Sequence, residues 1–293
     1  MHKRKGSKEI SKKPIYIPEV KYVYPEKTDE QIIEVKAKRK VKLDTKYYER
    51  LKKAIFKIGQ FFFKIPVVLI AYPLVYIRYP MKVEGRKELK KHKKELKKTG
   101  FLTVSNHVFL WDCIALCASM RMGLPNIPAW GKIISSKFGG IFSLFGVVPI
   151  PEERTVFRKF YDFMDDIFKQ NKWVHIYPET GLWYYYVPIR PFKRGAGVFA
   201  YQYDKPIVPI GYSFRERTGI AKWFNKKDPL VTVHIGEPIW PDKTLEKREA
   251  INDIVQRARM AIMKSVGIES EEENQRIMEE NYKYEDGHFY TNL

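Results

Sequence analysis

The sequence predicts an α/β domain, with a mixed, partly parallel sheet flanked by helices, preceded by an N-terminal membrane-associated helical segment. Three observations predict it. From residue 82 onward, short apolar β-branched runs alternate with longer amphipathic stretches. Within those stretches apolar residues recur at helical spacing. The N-terminal third, finally, joins a greasy run to strong positive charge.

The elements follow in order. Strand-length runs lie at Phe101–Ser105, Val147–Ile150, Trp173–Tyr177, Ile207–Tyr212 and Val231–Ile235, each short, apolar and rich in β-branched residues. Over 153–169, Val156, Phe160, Phe163 and Ile167 share one helical face. Over 244–265, Ile251, Ile254, Val255, Ala258, Ala261 and Ile262 do the same. Four regions are expected: a basic tail (1–45), apolar membrane-associated helices (46–81), the α/β domain (82–266) and an acidic C-terminal segment (267–293), read as a surface helix or a loose tail.

Composition narrows the function classes. The chain has 293 residues, 44% of them hydrophobic, enough for a sizeable core and incompatible with a wholly disordered chain. Two cysteines, Cys113 and Cys117, allow neither a disulfide framework nor a four-cysteine metal site, and fit a reduced cytosolic setting. The net charge is +20, and residues 1–100 hold 29 basic against 11 acidic side chains, so the charge is concentrated there. Nucleic acid and an anionic membrane are the usual partners of such a segment.

The residues beside the charge favour the membrane. Lys3, Arg4, Lys5, Lys8, Lys12 and Lys13 open the chain with no apolar signal-peptide core after them. Ile65 to Ile77 is a 13-residue apolar run containing Pro66 and Pro73, with Lys57 and Lys64 before it. A spanning helix needs about 20 apolar residues, so one or two helices lying in or dipping into one leaflet are expected, with a single span in which Lys64 snorkels as the alternative. Basic residues flank this run on both sides. Nucleic-acid binders instead interleave bases with stacking aromatics, and no nucleic-acid partner is expected. The expected location is the cytoplasmic face of a membrane.

Chemistry concentrates at Ser105-Asn106-His107-Val108-Phe109-Leu110-Trp111-Asp112, directly after a predicted strand. A loop there can present the His107 imidazole while the Asp112 carboxylate, at a helix start, binds its other nitrogen. That pairing fixes the tautomer and stabilises the imidazolium formed when the ring takes a proton from a hydroxyl. No protein nucleophile is needed if the substrate supplies the hydroxyl. His175 and His234 lie within strand patterns and are read as structural. Trp183-Tyr184-Tyr185-Tyr186 suits either an acyl channel or a packed loop.

The ordered blocks Asn106-His107-x4-Asp112, Gly146-Val147-Val148-Pro149-Ile150, Tyr177-Pro178-Glu179-Thr180-Gly181 and Val208-Pro209-Ile210 resemble the glycerol-phosphate and lysophosphatidate acyltransferase family. Val83-Glu84-Gly85 and Phe192-Lys193-Arg194-Gly195-Ala196 resemble its flanks, and the likeness covers about residues 82–240. It implies O-acyl transfer from acyl-CoA or acyl carrier protein to the hydroxyl of a lysophospholipid, 1-acylglycerol-3-phosphate first among acceptors, in phospholipid synthesis. His107 is then the general base and Asp112 its partner. Glu179, Thr180 and Gly181 belong to the acceptor site, and Lys193, Arg194 and Lys132 are candidate phosphate cations, with Arg190 and Arg154 behind them. The resemblance implies no metal or organic cofactor.

Two departures bear on the acceptor. The third block reads Pro178-Glu179-Thr180-Gly181-Leu182 where the family has Pro-Glu-Gly-Thr-Arg, and Pro151 and Glu152 stand where the family's second block has an arginine. Both strip cations from a phosphate site. A phosphate-free or amine lipid acceptor is therefore the alternative; a catalytically silent lipid-binding protein and a basic nucleic-acid-binding protein are further ones.

Overall fold

The computed structural model describes residues 14–19, 22–219, 222, 228–288 and 290. The expected basic tail residues Lys3 to Lys13 lie outside this set. In chain order the elements are β1 (Val23–Tyr24), α1 (Thr45–Lys52), α2 (Ala54–Pro66), a π turn (Val67–Ala71), α3 (Tyr72–Arg78), β2 (Lys82–Glu84), α4 (Arg86–Thr99), β3 (Phe101–Ser105), α5 (Asp112–Met120) and β4 (Ile127–Trp130). They continue with α6 (Lys132–Ser135), α7 (Gly139–Phe145), β5 (Val147–Ile150), α8 (Arg154–Lys169), β6 (Trp173–Ile176), α9 (Gly195–Tyr203), β7 (Ile207–Arg215), β8 (Leu230–Ile235), α10 (Lys247–Ser265), α11 (Glu271–Asn281) and β9 (Lys283–Tyr284).

The central sheet runs β2-β8-β7-β3-β6. The parallel pair β4-β5 continues it through a bridge from Asn126 to Val174. Among the described strands β7 and β8 pair antiparallel and the others parallel, so the sheet is mixed and mainly parallel, with helices covering it. Parallel strands buried on both faces carry continuous apolar runs, and every residue of β3 is buried. On α8, Phe160, Phe163, Met164, Ile167 and Phe168 form the buried face the spacing predicts.

The apolar N-terminal segment corrects one expectation. Pro66 and Pro73 do not divide it: Ala54–Arg78 is one helix of 25 residues, long and apolar enough to cross a membrane by length and composition alone. A proline ring collides with the carbonyl four residues back. Here the helix widens into the π turn just before Pro73, with the Tyr72 N–H bonding to the carbonyl of Val67. One side of this helix packs on the domain, burying Val67 and Val75.

Both ends of the chain also pack more closely than expected. Tyr24, Ile32 and Ile33 are buried, so the described part of residues 1–45 is not a loose tail. β1 pairs with β9, and α11 buries Asn274 and Ile277. The reason is aromatic. Tyr24 meets Trp183, Tyr186 and Tyr282 at centroid distances of 5.2, 5.0 and 5.5 Å. The segment Trp183–Tyr186 is accordingly a buried, packed loop.

Candidate active site

His107 follows the carboxyl end of β3, and Asp112 opens α5. Asn106 holds the turn between them: its side chain accepts the Tyr212 N–H at 2.8 Å and donates to the Tyr212 carbonyl at 3.0 Å. It thereby continues the β3-β7 ladder with side-chain atoms. Asp112 in the first turn of α5 also suits the positive end of the helix.

Within this frame Nδ1 of His107 lies 2.5 Å from Oδ2 of Asp112. An ionised carboxylate only accepts, so Nδ1 carries a proton, and in the neutral ring the lone pair is then on Nε2. The other carboxylate oxygen accepts the Tyr177 hydroxyl at 2.8 Å. The Tyr177 ring stacks on the imidazole at 3.8 Å and 22°. Asp112 is buried while His107 stays 20% exposed. The base is thus held by Asp112 and stacked by Tyr177, and it keeps part of its surface exposed.

Glu179 differs from its expected place at the acceptor. It is 1% exposed, and both carboxylate oxygens are occupied. Oε2 accepts the backbone N–H of His107 at 3.1 Å and the guanidinium of Arg190 at 2.9 Å, and Oε1 accepts the Arg190 N–H at 2.9 Å. It is a positioning residue that ties the His107 loop to the loop carrying Arg190. Arg190 is equally buried and also donates to the Thr28 carbonyl at 3.0 Å, so it is no free phosphate cation.

The neighbouring candidates divide. Thr180 donates to the carbonyls of Asp29 and Glu179. Gly181 is buried against residues 29–31 of the N-terminal segment, and a Cβ there would meet the Glu30 carbonyl oxygen at 2.3 Å. Thr180 is exposed. Lys193 is exposed beside this loop, but Asp29 pairs with it at 2.7 Å and holds its own carboxyl below the usual range. Arg194 is exposed at the start of α9. Lys132 begins α6 with its ammonium 4.6 Å over the Trp130 ring, and β4 lies two strands from β3, about 10 Å. Arg154 is exposed at the start of α8.

The two strand histidines have bonded places. His175 is fully buried against the Thr103 hydroxyl at 2.9 Å. Burial, helped by the nearby His107, pushes its pKa down to about 3. His234 meets Ser213 at 2.7 Å and Glu84 at 3.0 Å. Cys117 is buried and Cys113 half-buried. Sequence reasoning missed Tyr177 and Asn106 as parts of the site, although both sit inside the quoted motifs.

Residues 81–213 match the family model described as Acyltransferase. Among solved structures the chain is similar to the 1-acyl-sn-glycerophosphate (LPA) acyltransferase, PlsC, from Thermotoga maritima, at 15% identity and a TM-score of 0.37, covering 71% of this chain and 95% of that one.

Proposed function

We propose, on the premise that residues 81–213 belong to the acyltransferase family, that the chain transfers a fatty acyl group from acyl-CoA or acyl carrier protein to the hydroxyl of a lysophospholipid. The acceptor proposed is 1-acylglycerol-3-phosphate. The observation that carries this reading is the 2.5 Å contact between Nδ1 of His107 and the buried Asp112 carboxylate, with the His107 side chain 20% exposed. Nε2 takes the acceptor's hydroxyl proton as its oxygen attacks the thioester carbonyl. Asp112 stabilises the resulting imidazolium. Collapse of the tetrahedral oxyanion expels the thiolate, which takes the proton from His107, leaving an ester and a free thiol. General-base catalysis of this kind contributes about 10²–10⁴-fold.

Membrane association is part of the proposal. The helix Ala54–Arg78 touches the domain at a few points, through Gln60 to the Ser143 carbonyl and through the buried Val67 and Val75. Its other side exposes Ile58, Phe62, Leu69 and Ile77. A helix held this way presents one face to a leaflet, with lysines reaching headgroups. Tyr79, just past the helix, meets Phe109 of the catalytic loop edge-on at 5.4 Å, and Leu110 in that loop is 45% exposed. An acceptor still anchored in the leaflet would meet Nε2 there.

One observation favours a second reading. The cation best placed beside the third block, Lys193, is already paired with Asp29, which supports a phosphate-free or amine lipid as acceptor. The test is a panel of labelled-acyl transfers to lysophosphatidate, zwitterionic lysolipids, monoacylglycerol and a long-chain amine. Lysophosphatidate is the expected acceptor, and His107→Ala or Asp112→Ala is expected to lower turnover at least about 10²-fold, with both variants still folded. Full activity in both variants would end the mechanism; transfer only to phosphate-free acceptors would replace the first reading by the second.

A further inference from the structure

A cavity of about 400 Å³ lies between α1, α2, α7, β5 and α8, within the range of about 300–1,000 Å³ that small-ligand sites occupy. It is not the catalytic site. Its walls include Asn126, Gly146 and Lys172, which immediately precede β4, β5 and β6. Those strands run parallel with β3, whereas His107 and Tyr177 follow the opposite, carboxyl ends. A four-residue strand separates the two ends by about 13 Å.

The cavity has the two-part character of an amphiphile site. Its floor is apolar and buried, formed by Leu51, Val147, Val148, Phe163 and Ile167. Its rim is cationic, with Lys52, Lys57, Lys64 and Lys172 against the single carboxylate of Asp166. Lys52 takes that carboxylate. The other three lysines form no ion pair among the described residues. Lys57 and Lys64, with Gln60 and Phe61 between them, make one helical stripe of α2 facing the cavity. Lys64 folds back toward the domain: its ammonium lies 3.7 Å from where a Cβ on Gly123 would sit. The adjacent stripe of the same helix exposes Ile55, Ile58, Phe62 and Ile65. Basic pockets beside membrane-embedded helices bind anionic lipid headgroups.

We propose that this cavity binds the phosphate-bearing end of an anionic membrane amphiphile, at a site separate from His107 and independent of which acceptor the enzyme uses. The phosphate meets Lys57, Lys64 and Lys172, and the first methylenes of a chain cover the apolar floor.

The test uses the full chain carrying His107→Ala, in neutral detergent, so that no turnover occurs. Calorimetry would compare dihexanoyl phosphatidylglycerol, dihexanoyl phosphatidylcholine and inorganic phosphate. Phosphatidylglycerol is expected to bind best. Replacing Lys57, Lys64 and Lys172 by Gln is expected to weaken it about 10-fold or more. The same charge removed from α4, as Lys90→Gln, Lys94→Gln and Lys97→Gln, is expected to change it less than about 2-fold. Equal losses in the two triple variants would mean unspecific charge attraction and overturn the site. Equal binding of phosphatidylcholine would overturn the anionic requirement, and inorganic phosphate binding as tightly as the lipid would overturn the amphiphile. Since no acyl transfer is read, failure here is separate from failure of the proposed activity.

Discussion

Glu179 shows how a residue beside the chemistry can matter without touching substrate. Its carboxylate compensates a fully buried guanidinium and fixes the backbone of His107 at once. Replacing it with Gln leaves Arg190 as an uncompensated buried charge, a loss of about 3–5 kcal/mol. Glu179→Gln is therefore expected to lower the urea midpoint as well as turnover, whereas His107→Ala should lower turnover alone; an unchanged midpoint in Glu179→Gln would contradict the positioning role. His175 provides a pH dependence at the same scale. Its folded pKa of about 3 lies below the ordinary 6.5, so the unfolded chain binds the proton more readily. The stability this confers is present above about pH 6.5 and is lost as pH falls toward 3. Between pH 7 and pH 5 the loss is about 2 kcal/mol. In urea titrations, the stability lost between pH 7 and pH 5 should be larger for wild type than for His175→Gln by that amount; equal losses would show that His175 is not held neutral.

At the scale of elements, the third block is shaped by an arm from far away in the sequence. Gly181 sits directly beneath the Glu30 carbonyl, and the Trp183 indole N–H donates to that same carbonyl at 2.7 Å. Gly181→Ala is thus expected to displace residues 28–30 and expose Trp183, read as a red-shifted emission and new proteolytic cleavage before residue 35. A variant cleaved no faster than wild type would mean the arm accommodates the methyl group. The exchanged Gly and Thr of this block look like a lost phosphate ligand in the sequence; in the fold the glycine makes room for the arm. β3, β5 and α8 were legible because burial imposes continuous or periodic apolar patterns on contiguous residues. β2 and β4 were not: β2 is three residues long and half-polar at a sheet edge, and β4, Ile127-Pro128-Ala129-Trp130, lacks the β-branched pair that Val147-Val148 gives β5. The pairing of β1 with β9 joins segments about 260 residues apart, and no local pattern encodes such closure. The catalytic pair was legible since five residues of sequence contain all its geometry. The roles of Asn106, Glu179 and Tyr177 depend on partners supplied by other strands.

For the molecule as a whole, the distribution of apolar surface decides how it meets lipid. Large hydrophobic side chains are 39–76% exposed along Ile55–Ile77, flanked by the lysines of α2 and by the basic α4. Charge attracts this face to an anionic bilayer from beyond contact, and apolar burial then holds it. The two contributions respond differently to salt, because screening acts over about 8–10 Å near physiological ionic strength and leaves hydrophobic contact intact. Ile58→Ser, Phe62→Ser and Leu69→Ser together remove side chains that are 55%, 60% and 69% exposed, so the melting temperature should hold. Each such group contributes about 1.5–3 kcal/mol when fully buried, and partial immersion of three still predicts at least a 10-fold loss of partitioning into phosphatidylglycerol-containing vesicles. The loss should persist at high salt, where the lysine contribution has faded. Undiminished vesicle binding by the triple variant would place the membrane face elsewhere on the domain, and with it the route by which an acceptor reaches His107.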